Sequence, residues 1–173
     1  MKHTFVAELQ DQPGVLSRVA NLFWRRAFDL TSINVGSTED PSRSRMTIVV
    51  DARRTSPERV AANLRKLVPV VEVTDLTGLP AVSRDLALVR VRCAPTERSE
   101  LRDVAAIFRA RIVDLASDSA IVEVSGDEEK VDGLVELLRP RGILEMVRSG
   151  SVAMRRGGGL DKNGADSPRA AGH

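Results

Sequence analysis

The chain has little of the chemistry on which catalytic sites and disulfide frameworks depend. Its 173 residues include two histidines, His3 and His173, near opposite ends of the sequence, and a single cysteine, Cys93. One cysteine excludes an intrachain disulfide and a multi-cysteine metal site. Two terminal histidines argue against a histidine triad or a histidine-rich metal cage. We therefore predict no catalytic residues and no metal site, and we interpret Cys93 as a small core or edge residue of a strand.

Long apolar runs and aromatic residues are also scarce. Charges interrupt every apolar stretch well short of about 18 residues, and Glu8 and Asp11 fall where a signal peptide would be apolar. We therefore expect a cytoplasmic protein without a membrane segment. One tryptophan, four phenylalanines and no tyrosine offer few platforms for base stacking. Because the net charge of +2 arises from interspersed acids and bases, we expect a solvated surface and no nucleic acid partner.

The apolar pattern changes its period several times and predicts secondary structure along the first half of the chain. Alternation over residues 2–9 predicts a strand, and helical spacing from Val15 onward predicts a helix. Strands over 29–37 and 45–51 follow. A second helix begins at Ser56-Pro57 and ends at Pro69, and a strand covers 70–76. The predicted order is βαββαβ.

The same order begins again after the turn residues 77–80. The pattern predicts a strand over 85–93, a helix capped by Thr96, strands over 111–116 and 120–125, a helix opening at 126–127, and a strand over 143–147. We therefore predict an α+β protein with two tandem βαββαβ ferredoxin-like domains, residues 1–78 and 79–155. Residues 156–173 are rich in glycine, alanine and charge, and we predict a flexible tail there.

The stretch Asp11-Gln12-Pro13-Gly14-Val15-Leu16, called the Pro-Gly turn below, joins the first strand to the first helix. Pro13 and Gly14 suit the start of a helix, where free N–H groups and the helix dipole attract anions. An amino acid could place its carboxylate on this turn, its ammonium on Asp11 and its side chain on the two apolar residues that follow Gly14. A simpler interpretation makes Asp11 only an N-cap and Gly14 only a tight-turn residue, which are common roles.

A βαββαβ unit that opens with the Pro-Gly turn resembles the ACT domain, a small sensor domain found in or beside metabolic enzymes that often binds amino acids. Over about residues 2–156 the chain also resembles the regulatory small subunit of acetolactate synthase. The motifs that carry this resemblance are Arg25-Arg26-Ala27-Phe28-Asp29-Leu30, Val35-Gly36-Ser37-Thr38-Glu39-Asp40-Pro41, Ser44-Arg45-Met46-Thr47-Ile48-Val49-Val50, Arg84-Asp85-Leu86-Ala87-Leu88, Ile107-Phe108-Arg109-Ala110, Val113-Asp114, Val124-Ser125-Gly126-Asp127 and Leu137-Leu138-Arg139-Pro140 with Gly142-Ile143.

The resemblance implies a protein with no active site and no cofactor of its own. In that family a catalytic large subunit carries thiamine diphosphate, Mg and FAD and forms acetolactate. The small subunit raises this activity and confers feedback inhibition by a branched-chain amino acid, usually valine. The resemblance also implies a homodimer formed through the ACT domain, with the effector between the two subunits. The implied effector-binding residues are Asp11, Gln12, Pro13, Gly14, Val15 and Leu16 from one subunit, and Asp29, Leu30 and Val35 from the other.

The chain departs from the family at two of these positions. Asp11 and Asp29 stand where the family commonly has asparagine, and an ionised carboxylate accepts hydrogen bonds but cannot donate them. Two carboxylates suit an ammonium group but repel a carboxylate, so valine, leucine and isoleucine all stay candidate effectors.

Two alternative functions follow from the same pattern. A free-standing tandem sensor would lack an enzyme partner, and co-purification with a thiamine diphosphate enzyme would distinguish it. A transcriptional regulator is disfavoured, because two βαββαβ units leave no room for a helix-turn-helix.

Overall fold

The computed structural model describes residues 1–53 and 55–157, and in it two βαββαβ units follow one another along the chain. The first unit consists of β1 (Lys2–Gln10), α1 (Val15–Arg26), β2 (Asp29–Ser37), β3 (Arg43–Asp51), α2 (Pro57–Leu64) and β4 (Val70–Asp75). The second consists of β5 (Ala81–Arg92), α3 (Arg98–Ile107), β6 (Arg111–Leu115), β7 (Ser119–Gly126), α4 (Glu128–Leu138) and β8 (Ile143–Arg148), followed by β9 (Val152–Arg155). The predicted α+β class with two tandem ferredoxin-like domains is confirmed.

The first sheet has the strand order β2-β3-β1-β4, and all neighbouring strands are antiparallel. One face is covered by α1 and α2, because alternate residues of the central strands and the apolar stripes of both helices form a single core. Its buried members are Phe5, Ala7, Leu9, Val15, Val19, Phe23, Phe28, Met46, Ile48, Val50, Val60, Ala61, Leu64 and Val73. Within the described ranges, β2 pairs only with β3 and therefore leaves one edge of this sheet open.

The second sheet repeats this arrangement with the order β6-β7-β5-β8. The helices α3 and α4 cover one of its faces, and Cys93 is completely buried in the resulting core. The interpretation of Cys93 as a core residue is therefore confirmed. The strand β5 is longer than predicted, because it begins at Ala81 instead of residue 85.

Two helix boundaries differ from those predicted. The helix α2 ends at Leu64 instead of Pro69, and the chain continues in turns closed by bonds from Leu67 N to Leu64 O and from Val70 N to Leu67 O. A proline disfavours helical backbone at the residue before it, so the helix could not extend past Leu67 in any case.

The predicted cap at Thr96 was also wrong. Residues Pro95–Glu97 form a 3-10 turn instead, in which Ala94 N donates to the Glu97 carboxylate at 2.8 Å, and α3 begins only at Arg98.

The strand β9 was not predicted. It pairs antiparallel with the first four residues of β5, in the register Ala81↔Arg155 to Arg84↔Val152. The pairing is extended by Arg156, whose backbone N donates to Pro80 O at 2.7 Å. Ordered structure therefore reaches one residue into the predicted tail, and residues 158–173 lie outside the described residues. The predicted boundary between residues 78 and 79 stays a prediction.

The antiparallel pairing of β5 with β9 joins the two domains. Ala153 is 8% exposed and packs with Val6 and Leu76 against the sheet face opposite α1 and α2. Its backbone N donates to Thr47 Oγ1 at 3.4 Å. Further along, Asn34 Nδ2 donates to Ser149 O at 3.3 Å, and Lys2 of β1 forms an ion pair with Glu128 of α4. The two domains are therefore connected by both apolar and polar contacts.

The substitution Ala153→Asp is expected to weaken this connection. It places an unpaired carboxylate in a closed apolar contact, and burial of an unpaired polar group costs about 1–3 kcal/mol. We expect the free energy of unfolding in urea to fall by about 2 kcal/mol. The matched control is Val152→Asp, because the side chain of Val152 is half-exposed and the same charge stays in solvent. Equal losses in the two variants would contradict the proposed packing role.

Candidate functional site

The Pro-Gly turn is a type II β-turn. Gly14 has φ 81° and ψ 3°, which is the conformation that the third residue of such a turn requires and that glycine adopts without strain. Pro13 occupies the preceding position, which favours proline. Val15 N donates to Gln12 O at 3.4 Å and closes the turn. The sequence pattern predicts Pro13 at the start of the helix. The structure places it in the β-turn that precedes the helix.

The first turn of α1 leaves backbone donors free. Its first i→i−4 bond runs from Arg18 N to Gly14 O at 3.1 Å, so the N–H groups of Leu16 and Ser17 have no acceptor within the helix. No side chain caps α1, and no acidic residue lies in its first turn. The interpretation of Asp11 as an N-cap was therefore wrong, whereas Gly14 does serve a tight turn. The N-terminus of α1 presents donors and the positive end of the helix dipole.

Leu16, which carries the first of these donors, lines a hollow of about 170 Å³ between the turn and the sheet, and Ser17 follows it in the helix. The turn is held beside the loop between β2 and β3, because Asp11 N donates to Ser42 O at 2.8 Å. Six of the predicted effector residues line the hollow, together with four residues that sequence analysis missed. The lining residues are Leu9, Gln10, Asp11, Gln12, Gly14, Val15, Leu16, Val35, Ser44 and Met46. Pro13 is absent from this lining, since it forms the outer corner of the turn.

The residues expected from the second subunit fall into two groups. Val35 lines the hollow of its own chain, whereas the resemblance implied that it comes from the second subunit. Asp29 and Leu30 begin β2, and Val35 lies six positions after Asp29 along this strand. At about 3.3 Å per residue, the separation is about 20 Å. Within one chain, therefore, Asp29 and Leu30 cannot contact a molecule in the hollow.

The end of β2 that carries Asp29 has its own electrostatic environment. Asp29 lies opposite Asp51 in the register of β2 and β3. The Asp51 carboxylate accepts from Arg53 Nε at 2.7 Å and from Arg53 N at 3.0 Å. These hydrogen bonds lower the pKa of Asp51 to about 2. Arg53 therefore brings positive charge to a pair of neighbouring carboxylates.

The substitution Arg53→Gln is expected to raise the pKa of Asp51 from about 2 toward its ordinary value of 3.8, because it removes the guanidinium and leaves the backbone donor. The shift can be followed by NMR titration of the carboxyl carbon. A lowered pKa in the folded protein means that Asp51 stabilises the fold above about pH 4 and that this contribution is lost as the pH falls toward 2. Arg59→Gln is the control, and an unchanged midpoint in Arg53→Gln would contradict the assignment.

Residues 1–53 and 55–157 contain neither a metal-binding cluster nor a membrane-spanning helix. The side chains of His, Cys, Asp and Glu form no cluster of three or more that could hold a metal ion. No helix in these ranges combines the length and apolar character needed to cross a membrane.

Two family models match the chain. Residues 7–72 match the model described as an "AHAS small subunit-like ACT domain", and residues 84–157 match the model described as "Small subunit of acetolactate synthase". The matched ranges correspond to the two βαββαβ units.

Known relatives extend over nearly the same length. The chain is 47% identical over 157 residues to the probable acetolactate synthase small subunit of Archaeoglobus fulgidus, which covers 91% of this chain and 98% of that protein. It is 43% identical over 155 residues to the acetolactate synthase small subunit of Mycobacterium leprae, with 90% and 92% coverage. The crystal structure of the acetolactate synthase small subunit from Thermotoga maritima is similar with a TM-score of 0.83 at 37% identity, over 91% of this chain and 99% of that chain.

Proposed function

The chain belongs to the family of acetolactate synthase small subunits, and on that premise we propose that it is the non-catalytic regulatory subunit of this enzyme. In this role it raises the activity of a catalytic large subunit and makes that subunit sensitive to feedback inhibition by valine or another branched-chain amino acid. Thiamine diphosphate, Mg and FAD belong to the catalytic subunit in this proposal.

The observation that carries the proposal is the hollow beside the Pro-Gly turn. The N–H groups of Leu16 and Ser17 suit a carboxylate, and Asp11 suits an ammonium group. The apolar part of the hollow, with Val15 and Val35, suits an aliphatic side chain. Its volume of about 170 Å³ is below the roughly 300–1,000 Å³ of sites for drug-sized ligands. A small zwitterion therefore matches the hollow in both charge and size.

The open edge of β2 supports a site that two chains complete. Ile33 is the middle residue of β2, and an antiparallel pairing of two copies about this point places residue 29 of one copy opposite residue 37 of the other. Asp29 of one subunit then lies near the end of β2 that carries Val35 in its partner. This arrangement explains why Asp29 and Leu30 are absent from the hollow of a single chain, since they would come from the partner subunit.

Regulation in this proposal is a shift between two arrangements of the complex. Valine inhibits only if it binds the less active arrangement more tightly, and such coupling typically amounts to about 1–3 kcal/mol. Val35, on the open edge strand β2, and the Pro-Gly turn line the same hollow. If two subunits pair along β2, the contacts of a ligand in the hollow depend on how the subunits are arranged.

The test is to mix the purified chain with the acetolactate synthase large subunit and to assay acetolactate formation with valine, leucine, isoleucine or no effector. We expect a higher rate in the presence of the chain, and inhibition by at least one of the three amino acids. The proposal would be contradicted if the chain neither bound the large subunit nor changed its rate of acetolactate formation. That result would favour a free-standing sensor.

A further inference from the structure

The helix layer of the first domain carries a set of cations that the chain does not neutralise. We call this surface the basic helix face and define it by five residues of α1, α2 and the turn after α2: Arg18, Arg25, Arg26, Arg59 and Lys66. None of these side chains forms a salt bridge within residues 1–53 and 55–157. The two helices contain a single acidic residue, Glu58. A strong local excess of positive charge results.

The helix layer of the second domain shows the opposite condition, because most of its acidic residues are paired within the chain, and Glu129 is the one acid of α3 and α4 without an ion pair among the described residues. These ion pairs are Lys2–Glu128, Arg102–Asp103, Arg139–Glu136, Arg141–Glu100, Arg141–Glu97 and Arg148–Asp132. The helix layer of a second copy therefore has little unpaired negative charge to offer to the basic helix face. A partner with an acidic surface of its own complements this face better.

The basic helix face also contains a groove with an apolar floor. The groove lies between α1 and the turn after α2, has a volume of about 350 Å³, and is lined by Arg18, Asn21, Leu22, Arg25, Arg26 and Leu67. Arginine stems add apolar surface to such a groove while their charged ends stay in solvent.

Two large apolar side chains of α1 and of the turn after α2 face solvent. Trp24 of α1 is 80% exposed, and Val68, which follows Leu67, is 85% exposed. Arginine and tryptophan are enriched at the centres of protein interfaces. Among described residues, Trp24 is the one strongly exposed aromatic side chain, so the surface offers little base stacking and favours a protein over a nucleic acid.

We propose that the basic helix face is the docking surface for the catalytic large subunit, which contributes an acidic surface with an apolar ridge that enters the groove. This inference rests on the proposed function, because the large subunit is the partner that function requires. The charge complementarity supplies orientation and a salt-dependent rate of association. One helix then serves two purposes, since α1 begins at the effector hollow and carries Arg18, Arg25 and Arg26 along its length.

The test compares two charge reversals of equal size. Arg18→Glu with Arg25→Glu alters the basic helix face, and Arg102→Glu with Arg109→Glu alters exposed positions at the helix layer of the second domain. We expect the first variant to raise the Kd for the large subunit at least about tenfold and the control to change it less than about twofold. The milder variant Arg25→Gln with Arg26→Gln is expected to raise the Kd about threefold, which keeps the test valid if the charge reversal does not fold.

Four further measurements distinguish the outcomes: valine binding, the salt dependence of affinity, the oligomeric state, and binding to a duplex RNA. Valine binding to the isolated variants, measured by calorimetry, should be unchanged, and the affinity of the unmodified chain for the large subunit should fall as salt rises. Unchanged affinity in the double variant, or an equal loss in the control, would overturn the docking surface. A changed oligomeric state of the Arg18→Glu, Arg25→Glu variant would assign the surface to a second copy of the chain. If this variant lost binding to a duplex RNA but kept its affinity for the large subunit, the surface would be assigned to nucleic acid. If the unmodified chain does not bind the large subunit, the proposed function itself fails.

Discussion

Gly14→Asp is expected to abolish inhibition by valine and to leave activation of the large subunit largely intact. Gly14 is the residue that precedes α1, and an aspartate there can accept hydrogen bonds from the N–H groups of the second and third helical residues. Those donors are Leu16 and Ser17, which the proposal reserves for the effector carboxylate. Hydrogen bonds to charged groups contribute about 1.5–3 kcal/mol each. Loss of two such bonds, together with repulsion from the new carboxylate, should raise the inhibitory concentration at least about a hundredfold.

The control is Gly14→Ala, which adds no carboxylate. No atom lies within 4 Å of the position of the new Cβ, so the alanine meets open space. It still adopts φ +81°, which costs a non-glycine residue about 1–2 kcal/mol. We therefore expect lower stability with most of the valine sensitivity retained. Acetolactate assays over a valine titration would measure both variants.

Asp11 offers an independent test of the same hollow. Asp11→Ala removes the proposed acceptor for the ammonium group and should also abolish inhibition, whereas Asp11→Asn keeps an acceptor and should retain part of it. Asp11 donates its backbone N to Ser42 O, a bond that neither substitution removes. Full inhibition in both Gly14→Asp and Asp11→Ala would place the effector elsewhere on the protein.

Arg148→Met is expected to lower the free energy of unfolding by about 3 kcal/mol, because it leaves a buried carboxylate without its cation. Asp85 is 6% exposed, and Arg148 Nε donates to its Oδ2 at 2.8 Å, while Nη1 donates to Asp132 Oδ1 at 2.6 Å. Partial burial lowers the pKa of Arg148, but the hydrogen bonds to Asp85 and Asp132 outweigh burial and raise it. The guanidinium thus connects β8, β5 and α4.

Urea denaturation of Arg148→Met beside Arg139→Met would check this expectation. Arg139 pairs with Glu136 one helical turn away, and both side chains are mostly exposed. Such surface pairs contribute less than about 1 kcal/mol. A similar small loss in both variants would show that Asp85 finds other partners when Arg148 is removed. The Ser149 hydroxyl, which donates to Asp85 Oδ1 at 3.3 Å, is the nearest candidate.

Most of the fold was accessible from the sequence because its elements have strong apolar periods. Both βαββαβ orders, the buried stripe of α4 and the burial of Cys93 follow from local patterns. The strand β9 was not predicted, because an alternating pattern over only four residues is too short to indicate a strand. Its partner is the beginning of β5, about 70 residues earlier in the chain, and only the folded domain brings the two together.

The candidate site was accessible in part for the same reason. The sequence Pro13-Gly14 signals its turn directly, and the structure places a hollow beside it. The contribution of Val35 and Met46 to this hollow depends on sheet register, in which Val35 pairs with Met46 and Met46 with Ala7. Register of this kind is decided by the whole sheet and not by any segment.

The sequence also could not show which charged side chains form ion pairs with one another. Lys2 and Glu128 are 126 positions apart, and no local pattern could show that they form a pair. The sequence shows acidic and basic residues interspersed along both domains. The structure shows that, within its described ranges, most acids of the second domain's helix layer are paired, while the five cations of the basic helix face are not.

The late position of β9 has a consequence for biosynthesis. A ribosome releases the chain from its N-terminus, and domains generally fold as they emerge. Every strand and helix of the first domain precedes residue 76, whereas Ala153, which seals that domain against the second, comes near the end of the described chain. A nascent polypeptide stalled before residue 152 would therefore carry a folded first domain whose Val6 and Leu76 are still exposed to water, and it would be a target for chaperones until β9 is synthesised.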